Sequence, residues 1–179
     1  NLFNLSSKIS GYPIEKAKQQ LSEILAVPDN DYNLFIENKK REIVDFHIEN
    51  NPFYKNFIGE SKVTKWENIP TMKKIDFQIP LKERLSKGFS KRNVYINSTS
   101  GSSGDPMVFA KDKLGHALIW ANIMRRFGWY NIDFNRSYQA RFYGMPLDFI
   151  ANRVLRLKDY LSNRYRFNIF DLSYPGIEK

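Results

Sequence analysis

The second half of the chain alternates short segments of strand character with longer helical segments, and this order restricts the folds that the sequence can adopt. Helices are predicted from apolar residues spaced three and four apart, over residues 113–129 and 149–160. Strands are predicted over residues 94–96, 107–110, 137–143 and 165–172. Strands that alternate with helices favour an α/β domain whose sheet is flanked by helices.

The first half of the chain is predicted to be helical. Helices are expected over residues 14–25 and about 33–48, with a break at Pro28, Asp29 and Asn30. A short helix with Thr71 as its N-cap is expected next, followed by a helical turn within residues 81–88. The sequence therefore predicts a helical N-terminal region, residues 1–92, and a partial α/β domain, residues 93–179, with an α+β-like start.

Composition excludes several classes of site. The chain of 179 residues has no cysteine and only two histidines, His47 and His116. A disulfide framework, a thiolate zinc site and a cysteine nucleophile are excluded, and the absence of cysteine fits a reducing, cytoplasmic location. No apolar run is long enough to span a bilayer and no signal peptide opens the chain. The formal charge of 28 − 19 = +9 is compatible with phosphate-bearing or other anionic partners.

The segment between the first two predicted strands, residues 98–106, has the chemistry of a phosphate-binding loop. Gly101 and Gly104 let the backbone approach a ligand closely, and successive N–H groups in such a turn form an anion-binding nest. Hydroxyl groups add further donors, and one of them can reach a magnesium ion bound to the phosphates. They belong to Thr99, Ser100, Ser102 and Ser103.

Three other kinds of segment fit the residues of this loop less well. A Ser/Gly-rich stretch is also typical of a flexible linker, but linkers join domains and here both flanks are predicted to belong to one sheet. The stretch lacks the terminal Gly-Lys-Ser/Thr of a Walker A loop. Its glycine spacing differs from the dinucleotide-binding fingerprint, and no helix begins on it.

Residues 99–106, Thr-Ser-Gly-Ser-Ser-Gly-Asp-Pro, resemble the Thr-Ser-Gly-Thr-Thr-Gly-x-Pro loop of adenylate-forming enzymes. Many members carry a lysine after the proline, where this chain has Met107; the phenylacetate–coenzyme A ligase branch and its capsular polysaccharide biosynthesis relatives often lack that lysine. Two upstream segments resemble that branch as well: Asn-Pro-Phe-Tyr-Lys at residues 51–55 and Ile-Pro-Thr-Met-Lys-Lys-Ile-Asp at residues 69–76.

The resemblance implies a reaction in which ATP and a small-molecule carboxylate give an acyl-adenylate, whose acyl group passes to coenzyme A or a carrier thiol. The expected cofactors are ATP and Mg²⁺. Thr99, Ser100, Gly101, Ser102, Ser103 and Gly104 would hold the β- and γ-phosphates. A role in capsule or surface-polysaccharide assembly is suggested by the branch.

Other segments of such ligases are not found after Pro106. These are the aromatic-x-x-Thr/Ser-Glu segment, the ribose-binding aspartate and the late catalytic lysine; Tyr-Gly-Met-Pro at residues 143–146 lacks the Thr-Glu pair. The chain is therefore expected to be the N-terminal portion of a ligase, inactive in adenylation alone, with unidentified catalytic and metal-binding residues.

Two alternatives remain open at this stage: a basic module that binds nucleic acid or another polyanion, and a short nucleotide-binding partner subunit or dimer. No nucleic-acid motif supports the former.

The remaining charged and aromatic residues are expected to have structural and not functional roles. Structural or surface positions are expected for both histidines, solvated helix faces for the basic groups, and core packing rather than an aryl pocket for Phe127, Trp129, Tyr130 and Phe134. The basic groups are Lys39-Lys40-Arg41, Arg125-Arg126, and Arg153 with Arg156 and Lys158.

Overall fold

The computed structural model describes residues 2–59, 66–99, 106–144 and 149–169. The helices in these ranges are α1 Leu2–Ile9, α2 Ile14–Leu25, α3 Asp29–Asn50, α4 Pro52–Ile58, α5 Leu81–Arg84, α6 Lys113–Gly128 and α7 Phe149–Tyr160. The strands are β1 Val94–Ser98, β2 Val108–Asp112, β3 Gln139–Tyr143 and β4 Arg164–Asn168. Two short 3₁₀ helices, Trp66–Asn68 and Lys74–Phe77, precede α5. None of these helices has the length and apolar character needed to cross a membrane.

Contacts divide the chain into two compact units. We call Gln19–His116 the central unit, and Asn1–Lys18 together with Ala117–Lys179 the flanking unit. The central unit contains β1 and β2, which pair antiparallel, and the flanking unit contains β3 and β4, which pair parallel. The mixed helix-and-strand class is confirmed, but the described strands form two separate pairs and not the single sheet that was expected. The predicted division between residues 92 and 93 stays a prediction.

Several predicted elements are confirmed, and others need correction. Helices α2 and α7 have the predicted limits, and α6 ends one residue early. Helix α3 begins at Asp29, so only Pro28 breaks the chain there; Asp29 and Asp31 place negative charge in the first turn, which the helix dipole favours. Thr71 is not an N-cap, because the helix begins at Lys74.

The strands also shift slightly from their predicted limits. β1 continues to Ser98, and β2 runs from Val108 to Asp112 instead of over residues 107–110. β3 begins two residues later than predicted, and β4 covers Arg164–Asn168, while residues 170–172 of its predicted range lie outside the described residues.

Aromatic rings form the core of the flanking unit. Phe134 is 2% exposed, and its ring centroid lies 5.2 Å from that of Phe3, 5.8 Å from Trp120 and 5.1 Å from Phe127. Most of these pairs meet edge to face or tilted, the arrangements that aromatic quadrupoles favour. The expected core role is therefore confirmed for Phe127 and Phe134. It is wrong for Trp129 and Tyr130, which are exposed.

We predict that Phe134→Ala lowers the free energy of unfolding by about 3–5 kcal/mol, since it removes the ring shared by this cluster and leaves a cavity. Tyr130→Ala is the matched control, because that aromatic side chain is 76% exposed. Urea unfolding followed by fluorescence and circular dichroism measures both. Equal effects of the two substitutions would show that the cluster is not the core.

Candidate functional site

The polar loop of the central unit begins and ends at the base of a β-hairpin. Ser98 and Val108 are the last opposed pair of the β1–β2 ladder. One residue further on, the Thr99 N–H donates to the Met107 carbonyl (3.0 Å), and the Met107 N–H donates to Thr99 Oγ1 (2.9 Å). The prediction that both flanks of the loop belong to one sheet is confirmed, and the two strands form an antiparallel hairpin. Both flanks pair within one unit, which excludes a linker between two domains.

The predicted phosphate-binding residues can be placed only in part. Thr99 is exposed at the hairpin base, where its hydroxyl oxygen accepts a hydrogen bond while its O–H stays a donor. Ser100, Gly101, Ser102, Ser103 and Gly104 lie outside the described residues. Phosphate binding by these residues stays a prediction.

Arg84 holds β2 from the side opposite to β1. Successive carbonyls of a strand point to opposite sides, and the Met107 carbonyl faces Thr99, so the Val108 carbonyl faces away from β1. Arg84 Nη2 donates to this carbonyl (2.8 Å), and Arg84 Nε donates to the Ile79 carbonyl (2.8 Å). A side chain at the end of α5 thereby provides a donor for a carbonyl on the outer edge of β2, next to the hairpin base. Burial lowers the pKa of the Arg84 guanidinium.

Asn51 fixes the segment that carries Arg84. Its buried Oδ1 accepts from the Tyr54 N–H (3.0 Å) and caps α4. Its Nδ2 donates to the Arg84 carbonyl (3.0 Å) and to Ser86 Oγ (3.2 Å). The sequence contained the signal for the cap, an Asn directly before a Pro at the first helical position. The contacts to residues 84 and 86 carried no such signal.

Two apolar cavities of about 370 and 340 Å³ lie in the central unit. Both are of the size that small-molecule sites have. The first has aromatic walls, formed by Phe53, Tyr54, Trp66 and Phe77. The two cavities share lining residues, which are Ile43, His47, Asn51, Arg84 and Ala110. This arrangement can receive an apolar group beside an imidazole and a guanidinium.

The two histidines occupy structural positions. The His47 ring lies 5.5 Å from that of Tyr54, with Nδ1 3.5 Å from Ser86 Oγ. The His116 ring stacks on Tyr95 with centroids 3.7 Å apart. Burial lowers the pKa of both side chains, and for His116 the charge of Lys111 lowers it further. Both imidazoles therefore favour the neutral form.

Many of the basic side chains contact their own helix or a neighbouring ring. Lys39 pairs with Glu42 (2.5 Å) and Lys40 with Glu37 (2.7 Å) on the exposed surface of α3. Arginine guanidinium groups also lie over aromatic rings at distances of 4.6–5.1 Å; these pairs are Arg125 with Trp129, Arg153 with Phe149, and Arg156 with Tyr165. The described part of the chain contains no group of three His, Asp or Glu residues that could hold a metal ion.

We predict that Arg84→Met destabilises the chain by about 2 kcal/mol, because it leaves the carbonyls of Val108 and Ile79 without their charged donor. Lys82→Met is the control, since it removes an exposed cation from the same helix. Urea unfolding gives the energies, and amide hydrogen exchange at Thr99 and Met107 reports on the hairpin base. The same loss of stability in both variants would contradict this role for Arg84.

A second prediction concerns pH. The folded pKa values of His47 and His116 lie below the unfolded value of 6.5, so the unfolded chain binds protons first as pH falls. The histidines therefore leave the free energy of unfolding at its full value above pH 6.5. That free energy decreases as pH falls below 6.5 towards the lower pKa values of the folded state. The urea midpoint should therefore decrease from pH 7.5 to pH 5.0, and the decrease should be smaller in the His47→Gln, His116→Gln double variant. An unchanged pH dependence in that variant would contradict the assignment.

Comparisons with family models, with curated proteins and with solved structures find no match to this chain. The functional interpretation therefore depends on the loop sequence and on the hairpin that carries it.

Proposed function

We propose that this chain supplies the phosphate-binding loop of an ATP-dependent ligase that activates carboxylates as acyl-adenylates. The observation that supports the proposal most is the closed hairpin base. Thr99 and Met107 join the two ends of a Ser/Thr/Gly segment through two hydrogen bonds. A loop anchored in this way loses less conformational entropy on binding a ligand than a free segment would.

The proposed role of the loop is positioning and charge stabilisation. Backbone N–H groups and hydroxyls of residues 99–104 would hold the β- and γ-phosphates of ATP, and a hydroxyl would contact the accompanying Mg²⁺. The carboxylate would then attack the α-phosphorus, releasing pyrophosphate. The reaction also needs groups for adenine and ribose, and a catalytic lysine, that were not identified in this sequence. The chain alone should therefore bind nucleotide without forming acyl-adenylate.

The proposal extends to the wider reaction. The substrate is a small carboxylic acid, the acyl acceptor is coenzyme A or a carrier thiol, and the enzyme acts in the cytoplasm. The resemblance to the phenylacetate–coenzyme A ligase branch supports a link to capsule or surface-polysaccharide assembly.

The test measures MgATP binding by calorimetry with the double variant Ser102→Ala, Ser103→Ala. The dissociation constant should rise at least tenfold, which is about 1.4 kcal/mol, because two phosphate donors are removed. Thr71→Ala is the control, since it deletes an exposed hydroxyl outside the loop. In a longer protein that contains this chain, the double variant should lower carboxylate-dependent ATP–pyrophosphate exchange by the same factor. Unchanged binding and exchange would refute the proposal.

The basic charge supports polyanion binding as the alternative function. If surface cations bind a polyanion, the chain should be retained on heparin, its retention should weaken steeply as salt increases, and Ser102→Ala, Ser103→Ala should not change it. Retention of the wild-type chain and of this variant up to moderate salt, together with an absence of MgATP binding, would favour the alternative.

A further inference from the structure

One face of the β3–β4 sheet in the flanking unit carries an unusual concentration of arginine. The parallel register places Gln139 opposite Arg164, and Arg141 opposite Arg166. Alternate residues of a strand point to the same face, so these four side chains share one face. Asp159, near the end of α7, is 2% exposed and contacts this face.

The polar groups on this face form a short network. Asp159 Oδ1 accepts from Arg164 Nε (2.6 Å) and from Arg166 Nη2 (3.1 Å). Gln139 Oε1 accepts from Arg141 Nε (3.2 Å) and Nη2 (2.8 Å). Because Oε1 is the atom that can accept from arginine, these bonds fix the orientation of the Gln139 amide and leave Nε2 on its other side.

The charges in the network do not balance. Among the residues that the structure describes, three guanidinium groups, those of Arg141, Arg164 and Arg166, face one carboxylate, which leaves an excess of two positive charges. The side chains of Arg164 and Arg166 are only 13% and 16% exposed, so water screens this excess poorly. Burial, and then the neighbouring charge of Arg164, lowers the pKa of Arg141.

Three buried atoms of the same network have no hydrogen-bond partner in the described part of the chain. They are the donors Gln139 Nε2 and Arg166 Nε, and the acceptor Asp159 Oδ2. Arg166 Nε and Asp159 Oδ2 belong to the two groups that the 3.1 Å contact between Arg166 Nη2 and Asp159 Oδ1 joins. Leaving a buried donor or acceptor unpaired is unfavourable, because the group has lost its hydrogen bonds to water.

We propose that this face binds a phosphate group that carries one protonated oxygen. Gln139 Nε2 and Arg166 Nε would donate to its bare oxygens, and its P–OH would donate to Asp159 Oδ2. Inorganic hydrogen phosphate carries two negative charges in this form and would neutralise the excess charge of the arginines. A buried water could bridge the same three atoms but would leave the charge uncompensated, whereas sulfate at neutral pH has charge but no O–H donor.

This inference does not depend on the proposed function. All of its residues lie in the flanking unit, and the Ser/Thr/Gly loop belongs to the central unit. The phosphate could be inorganic phosphate or a phosphate monoester. Both can present a P–OH and bare oxygens, but the monoester with one protonated oxygen carries one negative charge and would neutralise half of the excess.

The first experiment measures thermal unfolding of the full chain in potassium phosphate, sulfate or chloride at equal ionic strength and pH 7. Above the dissociation constant, each tenfold increase in phosphate should raise the midpoint by about 3–5 °C, because only the folded state binds. Sulfate should have a smaller effect and chloride none. A phosphate effect no larger than that of chloride would overturn the proposal and favour a buried water. Equal effects of phosphate and sulfate would overturn the role of Asp159 Oδ2.

The second experiment uses Gln139→Glu, which is nearly isosteric and places a carboxylate where the ligand is proposed to supply negative charge. The midpoint in the absence of phosphate should rise, and its dependence on phosphate should disappear. Lys158→Gln is the control, because it removes an exposed cation of α7 and should keep the full phosphate dependence. Full phosphate dependence in Gln139→Glu would overturn the proposal.

If Gln139→Glu does not fold, Arg141→Gln replaces it, since Arg141 donates to Gln139, whereas Asp159 accepts from Arg164 and Arg166. That variant should weaken phosphate binding at least tenfold, and unchanged binding would overturn the proposal. Stabilisation by AMP that is lost in the same variant would identify a monoester as the ligand, and stabilisation by inorganic phosphate alone would identify the free ion. Stabilisation by MgATP that persists in this variant but is lost in Ser102→Ala, Ser103→Ala belongs to the loop, so the two proposals fail separately.

Discussion

The candidate site in the central unit depends on the hydrogen bond from Arg84 to the outward carbonyl of Val108. This bond gives the open edge of a two-stranded sheet a charged donor, which a hairpin of this size cannot provide for itself. Asn51 holds the backbone of Arg84, so the α3–α4 junction is connected through α5 to the first residue of β2. The hairpin base at Thr99 and Met107 is thereby held by side chains distant in sequence, so the position at which the proposed phosphate-binding loop begins is fixed.

Local patterns in the sequence were sufficient where local physics decides the structure. The limits of α2 and α7 follow from apolar periodicity, and the start of α6 follows from Asp112, whose Oδ1 accepts from the Gly115 N–H (2.5 Å). The start of α3 was misjudged because Asp29 was interpreted as a turn residue, although an acidic residue is equally suited to a first helical turn. The segments that form strands were also recognised, since β propensity is read locally.

Strand pairing and the long-range polar contacts could not be predicted from the sequence. The strand-and-helix order favoured one sheet, yet nothing local distinguishes a single sheet from two separate pairs. Thr99 could be identified as a loop residue because its neighbours carry a dense motif. Arg84 could not be linked to Val108, because such a contact depends on how α5 packs and not on a spacing in the chain. Asp159 was likewise not singled out from the sequence, although it is almost fully buried.

Helix α7 shows the physical reason why long-range polar contacts could not be predicted from the sequence. Its apolar residues Ile150, Val154 and Leu157 are exposed, while its carboxylate at Asp159 is buried among arginines, the reverse of the usual amphipathic arrangement. Three directional contacts attach the helix to β4: Asp159 accepts from Arg164 and Arg166, and Arg156 donates to the Arg166 carbonyl (2.7 Å). Such contacts depend on atomic positions, whereas apolar burial depends on area. Apolar periodicity in a sequence indicates which face of a helix can bury area, but a sequence contains no atomic positions. The polar network of the flanking unit, on which the proposed phosphate site depends, is therefore visible only in the three-dimensional structure.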